Sequence, residues 1–153
     1  MQAAQETFIS STFWTERVAL AAAVKSIECY EKYKVSEHQI KIGNMVEEGW
    51  KDAAEKAEIK ISISGIKPLI HFSFVEGEPL VYKTFFTQEM LRRGYLSALA
   101  VYTSLAHTEA IVSKYLDACY EVFCEIKKAE TTDGGVKGLL CSEACHSGFE
   151  RLN

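Results

Sequence analysis

The feature that most constrains the fold is a change of hydrophobic period in the middle of the chain. Residues 59–63 (IKISI) and 70–74 (IHFSF) alternate strictly between apolar and polar side chains. Alternation with period two is typical of half-buried strands. The short connection between the two runs contains Gly65 and Pro68, so the pattern predicts an antiparallel pair of strands.

Helical spacing flanks these strands on both sides. The spacing predicts helices over about 16–32, from after Ser36 to about 57, from about Lys83 to 93, and from 108 or 109 to about 128. The stretch SEHQ predicts a capping box in which Ser36 caps the second helix and Gln39 reaches back to it. Gly43 lies inside that helix, where glycine costs roughly 1 kcal/mol relative to alanine. Gly94 is placed to end the third helix.

The order of the elements indicates an α+β fold. Two helices, a hairpin, a helix, a strand-like apolar stretch at 95–102 and a last helix predict a small, mostly antiparallel sheet covered by helices. We expect a linking segment and helix at 1–34, a small α/β domain at 35–128 and a C-terminal tail at 129–153.

Composition and charge exclude some classes of function. The 153 residues carry a net charge of −4 without a basic stripe, which argues against nucleic acid as the main partner. No apolar run approaches the roughly 18 residues of a membrane span, and the N-terminus lacks the pattern of a signal peptide. Five cysteines is an odd number for a disulfide framework, so we expect reduced thiols and a cytoplasmic protein.

A cluster of hydroxyl side chains precedes the first helix. Ser10, Ser11 and Thr12 begin the stretch SSTFWTERVALAAAV, which runs into an alanine-rich helix. A helix N-terminus with a hydroxyl beside it accepts phosphate readily. The spacing alone favours simple capping by Thr12 or Thr15 over a ligand site.

Two further sets of residues could carry chemistry. Cys141, Cys145 and His146 are soft ligands at close spacing, but a structural zinc site needs four ligands and no second pair stands near. Buried thiols are therefore the preferred interpretation, and we expect no metal. His107 precedes a helix start and could act on a substrate, although capping or packing is the more common role. Cys119 falls on the predicted core stripe of the last helix.

Four stretches together resemble one enzyme family. They are SSTFWTERVALAAAV, FFTQEMLRRGYL, YTSLAHTEAIVSKYL and CHSGFERLN, and they occur in the family's order. The chain resembles the C-terminal part of a class III pyridoxal-phosphate aminotransferase, with glutamate-1-semialdehyde aminomutase-like members as its nearest kin. The resemblance implies the C-terminal small domain of a fold-type I pyridoxal-phosphate (PLP) enzyme.

The resemblance also implies a cofactor, a site and partners. In the family, the threonine that matches Thr12 donates to the cofactor phosphate of the neighbouring subunit, with Ser11 beside it. The implied complete enzyme is a homodimer that binds PLP and moves amino groups between small molecules. Trp14 to Arg17 replace the family's usual Gly-Asn-Pro, which places the local backbone and the substrate preference in question.

The length of the chain sets a further expectation. The large PLP domain of the family, which carries the Schiff-base lysine, has no counterpart here, so none of the lysines is assigned that role. We expect a fragment that is inactive alone and has no catalytic residue of its own. The alternative is a non-catalytic interaction or dimerisation module derived from the same fold.

Overall fold

The structure, a computed structural model, describes residues 16–148. Its elements in chain order are α1 (Arg17–Lys32), α2 (Val35–Lys56), β1 (Ile61–Ile66), β2 (Leu69–Phe74), α3 (Pro79–Arg92), β3 (Ala100–Tyr102), α4 (Glu109–Ala129) and a 3₁₀ turn (Val136–Leu139). The strands form one antiparallel sheet in the order β1-β2-β3. The predicted α+β fold with a small antiparallel sheet is therefore confirmed.

The chain divides into two compact units, Met1–Ser36 and Glu37–Asn153. The first unit contains α1, which has no buried residue and exposes Leu20, Val24 and Ile27 along its apolar face. The second unit contains the sheet and its core. No helix in the described part of the chain is long and apolar enough to cross a membrane.

The core of the second unit is built around the ring of Phe72 on β2. Four aromatic rings meet it edge-on at centroid distances of 4.8–5.6 Å, those of Trp50, Phe74, Phe86 and Phe123. These rings come from α2, β2, α3 and α4, so one side chain contacts the sheet and three helices. Each edge-to-face pair contributes about 0.5–1.5 kcal/mol beyond the burial of its surface.

The two faces of the sheet differ in chemistry. Ile70, Phe72 and Phe74 of β2 are buried, whereas His71 and Ser73 between them are exposed. The alternation of β2 therefore determines which face packs against the helices, as its period predicts.

An ion-pair cluster joins α3 to α4. Arg93, just past the end of α3, contacts Glu121 at 3.2 Å and Glu125 at 2.5 Å on α4. Arg93 also contacts Glu89 of its own helix at 3.3 Å, and that carboxylate is buried. Because a buried carboxylate needs a partner, this cluster pins the C-terminal end of α3 against α4.

Three sequence predictions need correction. The capping box is wrong, because α2 already begins at Val35 and Gln39 donates to the carbonyl of Thr103 at 2.8 Å. Lys34 has a φ of 49°, and this left-handed residue lets the chain start α2 two residues earlier than a cap at Ser36 requires. Helix α3 begins at Pro79 rather than near Lys83, since proline suits a first helical position.

The third correction concerns the apolar stretch 95–102. Only Ala100–Tyr102 forms a strand, and it pairs with Leu69–His71 of β2. Gly94 ends α3 with a φ of 85°, as predicted, and in the segment that follows the Leu99 carbonyl accepts from the N–H of Phe72 at 2.9 Å before pairing begins. This irregular segment forms part of the cavity described below.

Gly43 is required by a close approach of two backbones. A Cβ at this position would overlap the carbonyl of Lys67, in the turn between β1 and β2. The glycine that weakens the helix locally therefore allows α2 to lie against that turn.

We predict that Gly43→Ala lowers the free energy of unfolding, although alanine is the better helix former. The overlap with the Lys67 carbonyl outweighs the gain of up to about 1 kcal/mol from helix propensity. Urea unfolding followed by circular dichroism measures the change. Gly138→Ala is the matched control, because a Cβ there meets nothing within 4 Å. Equal or higher stability of Gly43→Ala would contradict the close approach.

Candidate functional site

One cavity of the second unit lies between the 95–102 segment and the start of α4. It has a volume of about 330 Å³, at the lower end of the range for small-molecule sites. Its polar lining comes from the side chains of Tyr95, Ser97, Tyr102, His107 and Tyr115. Among residues 16–148, no aspartate, glutamate, lysine or arginine lines the cavity.

His107 is held in one orientation by its neighbours. Its Nδ1 lies 3.0 Å from the backbone N–H of Ser104 and 3.0 Å from the Ser104 hydroxyl. Its carbonyl accepts a hydrogen bond of 3.1 Å from Nε2 of His38 on α2. The structure thus gives His107 the packing role that the sequence favoured, and it also places the ring in the wall of a cavity.

The next residue starts α4. The Thr108 hydroxyl accepts from the N–H of Ile111 at 3.3 Å, which makes Thr108 the N-cap of the helix. The first turns of α4 then supply the cavity wall through Ile111, Val112 and Tyr115.

The inner wall of the cavity continues into a buried polar cluster. Trp50 Nε1 donates to the Tyr115 hydroxyl at 3.2 Å. Burial raises the pKa of Tyr115 well above its ordinary value, so the phenol stays neutral. Burial also raises the pKa of Cys119 to about 12, which makes that thiol an inert core residue, as its position on the stripe predicts.

The tail cysteines are not the buried thiols that the sequence predicted, since Cys141 is exposed and Cys145 is partly exposed. Across residues 16–148 no group of three or more histidine, cysteine or acidic side chains could hold a metal ion. The sulfur of Cys141 instead lies 3.0 Å from the Arg92 guanidinium, and Cys145 Sγ lies 3.7 Å from the Leu80 carbonyl. All five cysteines are free thiols.

The predicted cofactor-binding residues Ser11 and Thr12 lie outside the described residues. Their assignment as phosphate ligands therefore stays a prediction. The cavity residues Tyr95, Ser97 and Tyr102 were not predicted, because the sequence shows them only as part of an apolar stretch. The one local signal in the sequence was the three-residue spacing of Ser104 and His107, which allows Ser104 to hydrogen-bond the histidine ring.

Comparison with solved structures defines the class of fold. The chain superposes with a TM-score of 0.72 and 19% identity on the PLP internal aldimine form of FumI from Sphingopyxis sp. MTA144. The match covers 91% of this chain and 34% of FumI. This chain therefore has the fold of one part of a PLP enzyme.

Comparison of sequences leads to the same class. The chain is 28% identical over 120 residues to a glutamate-1-semialdehyde 2,1-aminomutase from Thermodesulfovibrio yellowstonii. The match covers 69% of this chain and spans only 28% of the length of that relative. No protein-family model matches the chain. The sequence similarity confirms the resemblance to aminomutases that the motifs indicated, and the structural similarity confirms the fold.

We predict that alkylation in native buffer separates the exposed Cys141 from the buried Cys119. Cys119 is fully buried and its raised pKa leaves almost no thiolate near pH 8, whereas Cys141 is exposed on the tail. Iodoacetamide labelling followed by peptide mass mapping should find Cys141 modified first and Cys119 modified only after unfolding. Labelling of both at one rate in the native protein would contradict the structure of this core.

Proposed function

We propose that this chain acts as the small domain of a PLP-dependent aminotransferase or aminomutase. The observation that carries the proposal is the fold match, which covers nearly all of this chain and about a third of FumI. The similarity to an aminomutase over a comparable share of its length supports the same assignment. The substrates of the assembled enzyme would be a small-molecule amino donor and acceptor.

The described cavity does not fit the cofactor itself. A bound phosphate ester needs cationic or several N–H donors, and no lysine or arginine of the described residues lines this space. PLP supplies an electron sink to an enzyme that binds it. We therefore propose that a separate large domain holds the cofactor and that this chain is inactive alone.

The proposal assigns the N-terminal segment of the chain a role in binding the cofactor phosphate. Thr12, with Ser11 beside it, would donate to the cofactor phosphate across a homodimer interface. The proposed domain limits are 1–34 for the linking segment and helix, 35–128 for the small domain and 129–153 for the tail. The free thiols are consistent with the proposed cytoplasmic location.

A second candidate function is a non-catalytic interaction or dimerisation module. The exposed apolar face of α1 favours it, because Leu20, Val24 and Ile27 are each more than half exposed. Contiguous apolar surface of this kind usually marks an interface. The same face would also serve packing against a large domain, so cofactor binding distinguishes the two functions.

We predict that the purified chain does not bind PLP at a specific lysine. With the cofactor in excess, borohydride reduction and peptide mapping should find only scattered modification of exposed lysines. Stoichiometric modification of one lysine, with a defined absorbance band, would overturn the assignment as a small domain that needs a partner.

The companion experiment restores the partner. In a chimera, this chain replaces the matching region of the Thermodesulfovibrio aminomutase. Thr12→Ala should then weaken PLP binding by about tenfold, the contribution of one hydrogen bond to a charged group. Thr15→Ala is the matched control and should leave PLP affinity unchanged. A folded dimeric chimera that binds no PLP would favour the interaction module.

A further inference from the structure

We propose that the cavity beside His107 binds a small uncharged molecule that has an apolar body and one hydrogen-bond acceptor. The inference rests on the geometry of the second unit and does not depend on the proposed cofactor chemistry. Three observations carry it, namely the fixed tautomer of the histidine, the uncharged walls and the open apolar rim.

The contacts of His107 determine which ring nitrogen carries the proton. A backbone N–H only donates, so the Ser104 N–H at 3.0 Å requires Nδ1 to accept. In the neutral imidazole the proton then resides on Nε2. Nε2 has no hydrogen-bond partner among residues 16–148. The Ser104 turn holds the His107 ring and His38 holds the His107 carbonyl, so the ring keeps one N–H donor in a fixed place.

The walls determine the charge of the molecule that fits. Within the part of the chain that the structure describes, the lining consists of aliphatic side chains, three tyrosines, Ser97 and His107, without a charged side chain. Moving an ion into such a site without a partner is costly, whereas a neutral carbonyl meeting the Nε2 proton is not. The rings of Tyr95 and Tyr115 stand 5.8 Å apart and edge-on, which favours a flat apolar body against them.

The rim allows such a molecule to enter. Leu96 is 96% exposed and Tyr102 is 71% exposed at the edge of the cavity. Leu96 lies in the irregular segment that follows Gly94, and Tyr102 is the last residue of strand β3. The cavity is thus an open site with an apolar lip, in which the His107 N–H is a fixed donor beside neutral hydroxyl groups.

Three probes of nearly equal shape test the inference on the full chain. Acetophenone has an aromatic ring and a carbonyl, ethylbenzene lacks the acceptor, and benzoate carries a charge. Titration followed by ¹H–¹⁵N NMR should show acetophenone binding about fivefold tighter than ethylbenzene, the effect of one neutral hydrogen bond. Benzoate should bind at least tenfold weaker than acetophenone. Shifts should be confined to residues 95–102 and the start of α4.

Paired variants separate the hydrogen bond from the turn that holds the ring. His107→Asn keeps an acceptor near Ser104 but lacks the Nε2 donor, so it should abolish the advantage of acetophenone over ethylbenzene. His107→Gln places an amide donor near the Nε2 position and should restore part of that advantage. Ala100→Leu fills the cavity wall and should weaken both neutral probes. Long-range ¹H–¹⁵N spectra of the unmutated protein report the tautomer directly.

The inference would be overturned by any of three results. These are an Nδ1–H tautomer of His107, benzoate binding as tightly as acetophenone, or an acetophenone advantage that persists in His107→Asn. None of these results bears on the proposal that this chain is the small domain of a PLP enzyme. Failure of the chimera to bind PLP likewise does not bear on the probe titration. The two proposals therefore fail separately.

Discussion

Edge-to-face packing around Phe72 is the interaction on which the rest of the second unit depends. The sheet has three strands, and only the face that includes Phe72 is buried. One ring on the central strand contacts rings from α2, α3 and α4 at 4.8–5.6 Å. Because small sheets are marginal without a covered face, these contacts hold the strands in register and place the helices over them.

The cavity is a consequence of that arrangement. Helix α4 is joined to the core by Phe123 and to the end of α3 by the Arg93 ion pairs. Strand β3 pairs for only three residues, and the irregular chain before it lines the cavity together with the first turns of α4.

The sequence predicted the parts of this fold that rest on periodicity. The change from period 3.6 to period 2 placed the helices and the two long strands, because burial of one face imposes those periods. The start of α2 was missed because the positive φ of Lys34 follows from the turn and not from the residue type. The cavity was not predicted because Tyr95 and Tyr115 are distant in the sequence and come into contact only in the folded unit. The Ser104–His107 contact spans three residues and was the part of the site open to prediction.

Stability of a Phe72 variant tests the central claim most directly, since the account makes that ring the common contact of sheet and helices. Phe72→Ala should lower the free energy of unfolding by about 3–5 kcal/mol, the cost of emptying a buried aromatic site. Leu96→Ala, at a side chain that is 96% exposed, should change it by less than about 0.5 kcal/mol. Urea unfolding measures both. A Phe72→Ala protein that unfolds at the same urea concentration as Leu96→Ala would contradict the account.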